Sequence, residues 1–374
     1  MIRVLTYKEI DRGEWSRLVQ TSATGTWFQT PEAYMLFASM QELFLPFAKA
    51  VERVNELTNE RTLRGVCVGY VTREKNPIKQ YFTRRAIIIG GPVIANDATS
   101  EEVETLMIAV RNQFKILDLR FKILNSPIFI ETRNFNDYSR WKGAFEKAGF
   151  EYKKHLNFHV DCTDKEKMWE RLSENRKRQV RHANGDFKFK ISFPFGTITS
   201  NLRFDNLSVS EQDVREWYKI LSELYRKKVK TPLWPVEFFI EAYRQGIGQF
   251  MLVRHEGKII GGSMVVRWKP NPSPSIKGRD VRGTVYEWFE CGLNAQYKEQ
   301  YPSVMATYAG MCYAAEEGIG RYDMMGAGVP DVPYGVRDFK AEFGGQLVEH
   351  GRFVCVREPI LYKIGVLAVK MMRG

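Results

Sequence analysis

The chain has 374 residues, enough for two domains with an excess at roughly 150 residues each. Hydrophobic residues make up 44% and aromatics 13%, which excludes wholesale disorder and allows a sizeable core. The net charge of +12 favours anionic partners such as phosphates, nucleic acid or an acidic membrane face, and five scattered cysteines (Cys67, Cys162, Cys291, Cys312, Cys355) argue against a disulfide framework or a zinc ribbon.

The first residues, Met1 to Lys8, contain no apolar run of the secretory kind. No stretch approaches the ~18 apolar residues of a membrane span. A soluble, cytoplasmic protein is expected. Short β-branched runs then alternate with amphipathic stretches, the pattern of an α/β (α+β) protein. Gly65–Val71 and Arg85–Gly90 read as strands, the second closed by Gly91 and Pro92. A helix is predicted from Thr99 or Ser100 through Val103, Leu106, Met107, Val110 and Phe114, capped by a hydroxyl and acidic in its first turn. Strands are predicted over Leu119–Ile123 and at Phe129, and a helix over Ser139–Lys147 ending at Gly149.

Residues 165–190 break the texture with nine lysines and arginines against four acids. The cycle then restarts: helices over Glu211–Lys227 and Val236–Gln245, a strand pair Gln249–Arg254 and Lys258–Val266 turning at His255-Glu256-Gly257, a strand Val285–Leu293 and a helix Pro302–Glu317. Lys269–Gly283 is rich in Pro, Ser and Gly and reads as an exposed loop. Two tandem modules are the economical reading, with domains at 1–164 and 165–374, each a mixed, mostly antiparallel sheet flanked by helices.

Seven boxes recur in order: Trp27-Phe28-Gln29-Thr30-Pro31, Gly90-Gly91-Pro92-Val93, Gly149-Phe150 leading to Val160-Asp161-Cys162, Asn175–Ala183, Lys230–Pro235 with Phe238-Phe239, Tyr322-Asp323-Met324-Met325-Gly326, and Phe339–Gly345. Together they resemble the Fem-type (FemAB-like) branch of the GNAT-fold acyltransferases. The resemblance implies two tandem GNAT-like modules and transfer of an acyl or aminoacyl group onto an amine held in a cleft. It departs where Fem enzymes often carry a lysine that meets precursor phosphates: Leu36 and Phe37 stand near that place.

Attack of an amine on an ester or thioester creates a tetrahedral oxyanion, and a fixed ammonium lowers its energy. The resemblance gives that role to Lys340, and sets Phe339 between core packing and a surface for the terminal adenosine of a tRNA. A base is needed to take the amine's proton. Alternation along Val285–Leu293 puts Glu287 with Val285, Phe289 and Cys291, where desolvation raises its proton affinity; Asp323, beside Gly326-Ala327-Gly328, is the second candidate. Arg176, Arg178 and Arg181 are candidates to hold a sugar diphosphate or tRNA backbone through guanidinium forks. Lys228 and Lys230 form a second cationic candidate, and Trp234 a candidate to stack on a sugar. His155 and His159, four apart on a predicted strand without a third ligand, indicate no metal.

Coenzyme A binding needs a glycine-rich turn between a strand and a helix. Gln245-Gly246-Ile247-Gly248 stands in the opposite order, and Asn294–Pro302 has no such turn. This absence disfavours coenzyme A, and the resemblance then implies aminoacyl-tRNA as donor, with no bound cofactor, and an amine on a phosphate-bearing cell-envelope (peptidoglycan-type) precursor as acceptor. The alternatives are an acyl-coenzyme-A-dependent N-acyltransferase acting on an exopolysaccharide amino sugar, and a non-catalytic basic binding module. The tail Ile360–Arg373, apolar with basic punctuation, reads either as a helix packed on the second module or as a peripheral contact with the inner membrane face.

Overall fold

The strand predicted over Gly65–Val71 is part of a long hairpin, β2 (Phe44–Val54) and β3 (Arg61–Thr72), around which the first sheet grows. The computed structural model describes residues 1–114, 125–185, 190–192, 204–205, 209–230, 232–270 and 283–373. The strand predicted over Leu119–Ile123, most of the Lys269–Gly283 loop, Lys188 and Thr231 lie outside these residues.

The first unit takes in residues 1–155 and 349–373. Besides the hairpin it contains β1 (Ile2–Thr6), β4 (Ala86–Gly90), β5 (Val93–Ile94), β6 (Phe129–Asn134), β7 (Glu151–Lys153) and β16 (Arg352–Val356), in the order β1-β2-β3-β4-β6-β16-β7 with β5 on β3. Among the described residues, β4 and β6 pair in parallel, over five residue pairs. Helices α1 (Arg12–Thr21), α2 (Pro31–Ala38), α3 (Pro77–Thr83), α4 (Ser100–Asn112) and α5 (Lys142–Lys147) flank it. The Phe28-Gln29-Thr30-Pro31 box is a structural plug. The Gln29 amide donates to the carbonyls of Val68 and Ile89 and accepts from Val68 N–H, bridging β3 and β4 where their ladder is short. Thr30 then caps α2 with Pro31 in its first turn. Leu36 and Phe37 are core residues of the same helix.

The second unit takes in residues 156–269 and 283–348. Its strands are β8 (Leu156–Asp161), β9 (Lys190–Ser192), β10 (Phe204–Asp205), β11 (Gly248–His255), β12 (Lys258–Trp268), β13 (Thr284–Gly292), β14 (Arg321–Gly326) and β15 (Gln346–Glu349), in the order β10-β9-β11-β12-β13-β14-β8-β15. Here the central parallel pair is β13 with β14. The β11–β12 turn places Glu256 at φ 50 and Gly257 at φ 79, the left-handed pair that a tight hairpin requires. The helices are α6 (Lys165–Glu170), α7 (Glu174–Gly185), α8 (Glu211–Leu224), α9 (Val236–Arg244), α10 (Pro302–Glu316) and α11 (Gly335–Ala341). Helix α10 is buried along most of its length against β12 and β13.

The partition differs from a boundary at 164/165 in both directions. Leu156, Phe158 and Val160 face the core of the second unit, so β8 pairs antiparallel with β14. Late in the chain, β16 returns to the first sheet and pairs with β6 and β7. Each sheet is thus completed by a strand from the other half of the sequence. The C-terminal helix α12 (Pro359–Arg373) also belongs to the first unit rather than packing on the second, and Tyr362 meets Phe129 edge to face.

Candidate active site

The parallel ladder of β13 and β14 ends at Tyr286 and Asp323, although both strands run on. In β13 this point is followed by a bulge: Glu287 pairs with Val265 and Phe289 with Met264, so Trp288 is an extra residue. The bulge reverses the alternation. Phe289 and Cys291 turn to the face that meets α8 and α9, against Phe239 and the Trp217 carbonyl. Glu290 joins Glu287 on the face toward α10. Strict alternation predicted Phe289 and Cys291 beside Glu287; the extra residue is why they are not.

Glu287 is 7% exposed, and its Oε1 accepts from Thr307 Oγ1 of α10 and from Tyr322 OH of β14, each at 2.8 Å. Burial raises its proton affinity, while the nearby Lys340 charge and these two hydroxyls pull the other way. Glu290 has a buried oxygen, Oε1, without a hydrogen-bond donor among the described residues. Burial and the charge of Glu287 push it up to about 8.

Lys340 lies near the end of α11, half-buried. Its Nζ donates to the carbonyl of Gly326 at 3.0 Å and to that of Met324. These carbonyls belong to the part of β14 that no longer pairs with β13, and buried carbonyls need donors. Burial lowers the lysine's proton affinity, opposed by Glu287, Asp323 and Glu290. An ammonium has three N–H donors, so two anchored on carbonyls leave one for another oxygen.

Asp323 is fully buried. Its Oδ1 accepts the Met325 N–H at 2.7 Å, and its Oδ2 lies 3.2 Å from His159 Nε2. Burial alone would raise its proton affinity; His159, Arg321 and the Met325 amide overturn that and hold the carboxyl below its usual range. That is a fixed anion, ill suited to taking up protons. It pins Met325 in a left-handed conformation (φ 56), between the two carbonyls that hold Lys340. Asp323→Asn is expected to lower activity mainly through kcat, with KM for the amine nearly unchanged. Steady-state kinetics check this; a pure KM effect would contradict the positioning role.

The shift at Glu290 has a consequence for stability. A carboxyl whose proton affinity is higher folded than unfolded stabilises the protein at low pH, and that contribution is lost as pH rises through the folded value. Stability should therefore fall between about 4.5, the ordinary value, and about 8. Glu290→Gln should flatten the decline and raise the melting temperature at pH 8.5, as thermal denaturation across pH would show.

The other predicted residues divide. Arg176 is 5% exposed: its guanidinium donates to the Phe339 carbonyl at 3.0 Å and to Gln179 at 2.6 Å, and stacks 4.4 and 4.8 Å from the Phe339 and Phe343 rings. It clamps α11 and is not presented to a phosphate. Phe339 is correspondingly held against Phe343 and Arg176. Arg178 and Arg181 are exposed on α7, one bonded to Asn175 and the other over the Trp169 ring. Lys228 and Lys230 are exposed at a π-helical turn that continues α8, with Lys230 left-handed at φ 54. Trp234 packs on Phe238, Trp288 and Phe289, on the side of β13 away from Glu287. Lys340, Glu287 and Asp323 therefore share one constellation, and none of the substrate-binding candidates has a described contact with these three side chains.

Glu290, Thr307, Tyr322 and His159 were not predicted for the site. One signal was available: Ser303 and Thr307 are four apart on an otherwise apolar helix, a polar stripe that calls for buried partners. The bulge that brings in Glu290 has no such residue signature.

Residues 281–370, which include β13, α10, β14 and Lys340, match the FemAB family. That segment is FemAB-like. The crystal structure of FemX is similar to the chain at 12% identity and a TM-score of 0.62, covering 97% of this chain and 99% of that one. A conserved protein of unknown function from Bacteroides thetaiotaomicron VPI-5482 is similar at 8% identity and a TM-score of 0.51, over 96% of this chain and 100% of that one. At these identities the likeness is one of fold: each unit is a mixed sheet flanked by helices, as the sequence predicts. No curated protein sequence matches.

Proposed function

We propose that the protein joins an aminoacyl group, carried as an ester on tRNA, to an amine of a phosphate-bearing, peptidoglycan-type precursor. The observation that supports this best is the Lys340 ammonium, tethered by two β14 carbonyls with one donor left over. The amine nitrogen attacks the ester carbonyl carbon, and the carbonyl π pair moves onto oxygen, where Lys340 stabilises it. Glu287 takes the proton released by the attacking nitrogen. Collapse breaks the carbon–oxygen bond of the ester, and the departing ribose oxygen takes the proton that Glu287 holds, which restores the carboxylate. Arg178, Arg181, Lys228 and Lys230 are the exposed cations that serve the donor and acceptor phosphates, and Asp323 positions the Lys340 anchor.

The start of α10 supports an ester on tRNA over a coenzyme A thioester. Ser303 N–H already donates to Asn294 Oδ1 at 3.2 Å, and that helix follows β13, where a pyrophosphate would need free amides. Gly246 (φ 67) ends α9, with Ile247 N–H bonded back to Ala242, as a helix stop does.

Incubation of an amine-bearing precursor with labelled aminoacyl-tRNA, and separately with labelled acetyl-coenzyme A, tests the reading. Amide label from the tRNA alone supports it; label from the thioester alone replaces it with the coenzyme A reaction. In the same assay Arg178→Glu with Arg181→Glu should weaken RNA binding at least tenfold, roughly the loss expected from reversing two phosphate contacts, without lowering stability. RNA binding without any transfer would leave only a binding module.

A further inference from the structure

Helix α12 is apolar on more than one side. Leu361 and Tyr362 are partly covered, Tyr362 through Phe129. The opposite stripe is open to solvent: Ile360 is 76% exposed, Ile364 48% and Leu367 60%. These residues are spaced i, i+4 and i+7, one face of a helix. Helix α3 of the same unit packs beside α12 and adds Ile78, 73% exposed, and Phe82, 46% exposed, again four apart. Two neighbouring elements therefore expose large aliphatic and aromatic side chains together, which isolated surface hydrophobics do not explain.

Charge selects the occupant. Pro359–Arg373 contains Lys363, Lys370 and Arg373 and no acidic residue, with Glu358 just before it, so the charge along the helix is net positive. Lys75 precedes α3 and Lys79 lies within it, although Glu42 and Glu74 partly neutralise them. Apolar side chains on one face with cations beside them fit the boundary between headgroups and acyl chains of an anionic bilayer. Among the described residues no helix is long and apolar enough to cross a membrane; the 15 residues of α12 span about 22 Å at ~1.5 Å per residue, short of the ~30 Å hydrocarbon core. Such a helix lies on the surface.

We infer that α12 and α3 form a peripheral docking surface for anionic lipid, placing the first unit against a membrane face. This does not depend on the transfer reaction: it stands on the exposed residues and their charge, and its test does not measure activity.

The full chain should co-sediment with vesicles of phosphatidylcholine containing 30% phosphatidylglycerol, roughly the anionic fraction needed for a strong surface potential, and much less with phosphatidylcholine alone. Added salt should weaken binding. Ile364→Asp with Leu367→Asp should reduce it at least about tenfold, the scale of two aliphatic side chains leaving the interface, with an unchanged melting temperature because both positions are exposed. Lys363→Glu should give a smaller, salt-dependent loss. Absence of vesicle binding, or binding indifferent to the Ile364/Leu367 pair, would overturn the inference. So would a dimer in light scattering that the same pair dissolves without any lipid binding, since the face would then serve a second copy.

Discussion

Lys340→Met lowers amide formation by roughly 10² to 10³, the scale of losing one preorganised oxyanion donor. Methionine keeps the apolar stem but removes both the charge and the donors of the Met324 and Gly326 carbonyls, so circular dichroism must show that the fold survives. The ammonium bridges the Met324 and Gly326 carbonyls. Binding of donor and acceptor should change little, so the loss falls on kcat. The pH profile adds a second reading. Lys340 is the nearby charge that most opposes the effect of burial on Glu287; without it the glutamate holds its proton more tightly, and the acidic limb of residual activity moves to higher pH. Single-turnover rates across pH with circular dichroism as a folding control provide the check. A rate within about threefold of the parent would remove Lys340 from the chemistry, because the loss of an oxyanion donor is at least tenfold larger.

Arg176→Ala destabilises the protein by about 2–3 kcal/mol, the range for truncating a buried, charge-assisted hydrogen-bond donor. The side chain holds the Phe339 carbonyl, rests on two phenylalanine rings and lies 3.6 Å from Glu342. All of these belong to α11 or the residues just after it. Truncation should therefore also lower kcat, since Lys340 loses the brace that fixes its backbone. Arg178→Ala, two residues away and exposed, should change stability by less than about 0.5 kcal/mol. Urea denaturation of the pair separates them. Equal and small effects would mean that α11 is held by other contacts.

The contrast between Arg176 and Arg178 shows where sequence reading ends. Both sit in one basic run, and composition gives them one meaning; only helical phase, with Val180 and Ala183 buried beside Arg176, separates the clamp from the exposed cation. Helices α8, α9 and α10 and strands β11, β12 and β13 of the second unit were legible because their apolar runs are long and their ends carry glycine or proline. Lys340 was legible through resemblance alone: nothing in the Asp338–Phe343 segment announces that two carbonyls of another strand will receive it. The bulge at Trp288 was invisible, because alternation assumes an unbroken ladder, and with it went Glu290. Asp323 was legible as a turn carboxylate; His159, recognised as a histidine without a third metal ligand, was not matched to it because their pairing depends on β8 entering the second sheet.

That exchange of strands also bears on how the chain comes into being. During synthesis β6 and β7 leave the ribosome long before β16, the strand that lies between them. Until residues 352–356 are made, the early sheet has two unsatisfied borders, each able to recruit a foreign strand. The amino-terminal half is then a debtor to the carboxyl-terminal residues, so a late frameshift or nonsense mutation would harm the first-made module as well as the last. Expression of either half alone should yield insoluble material, and co-expression of both halves should restore solubility.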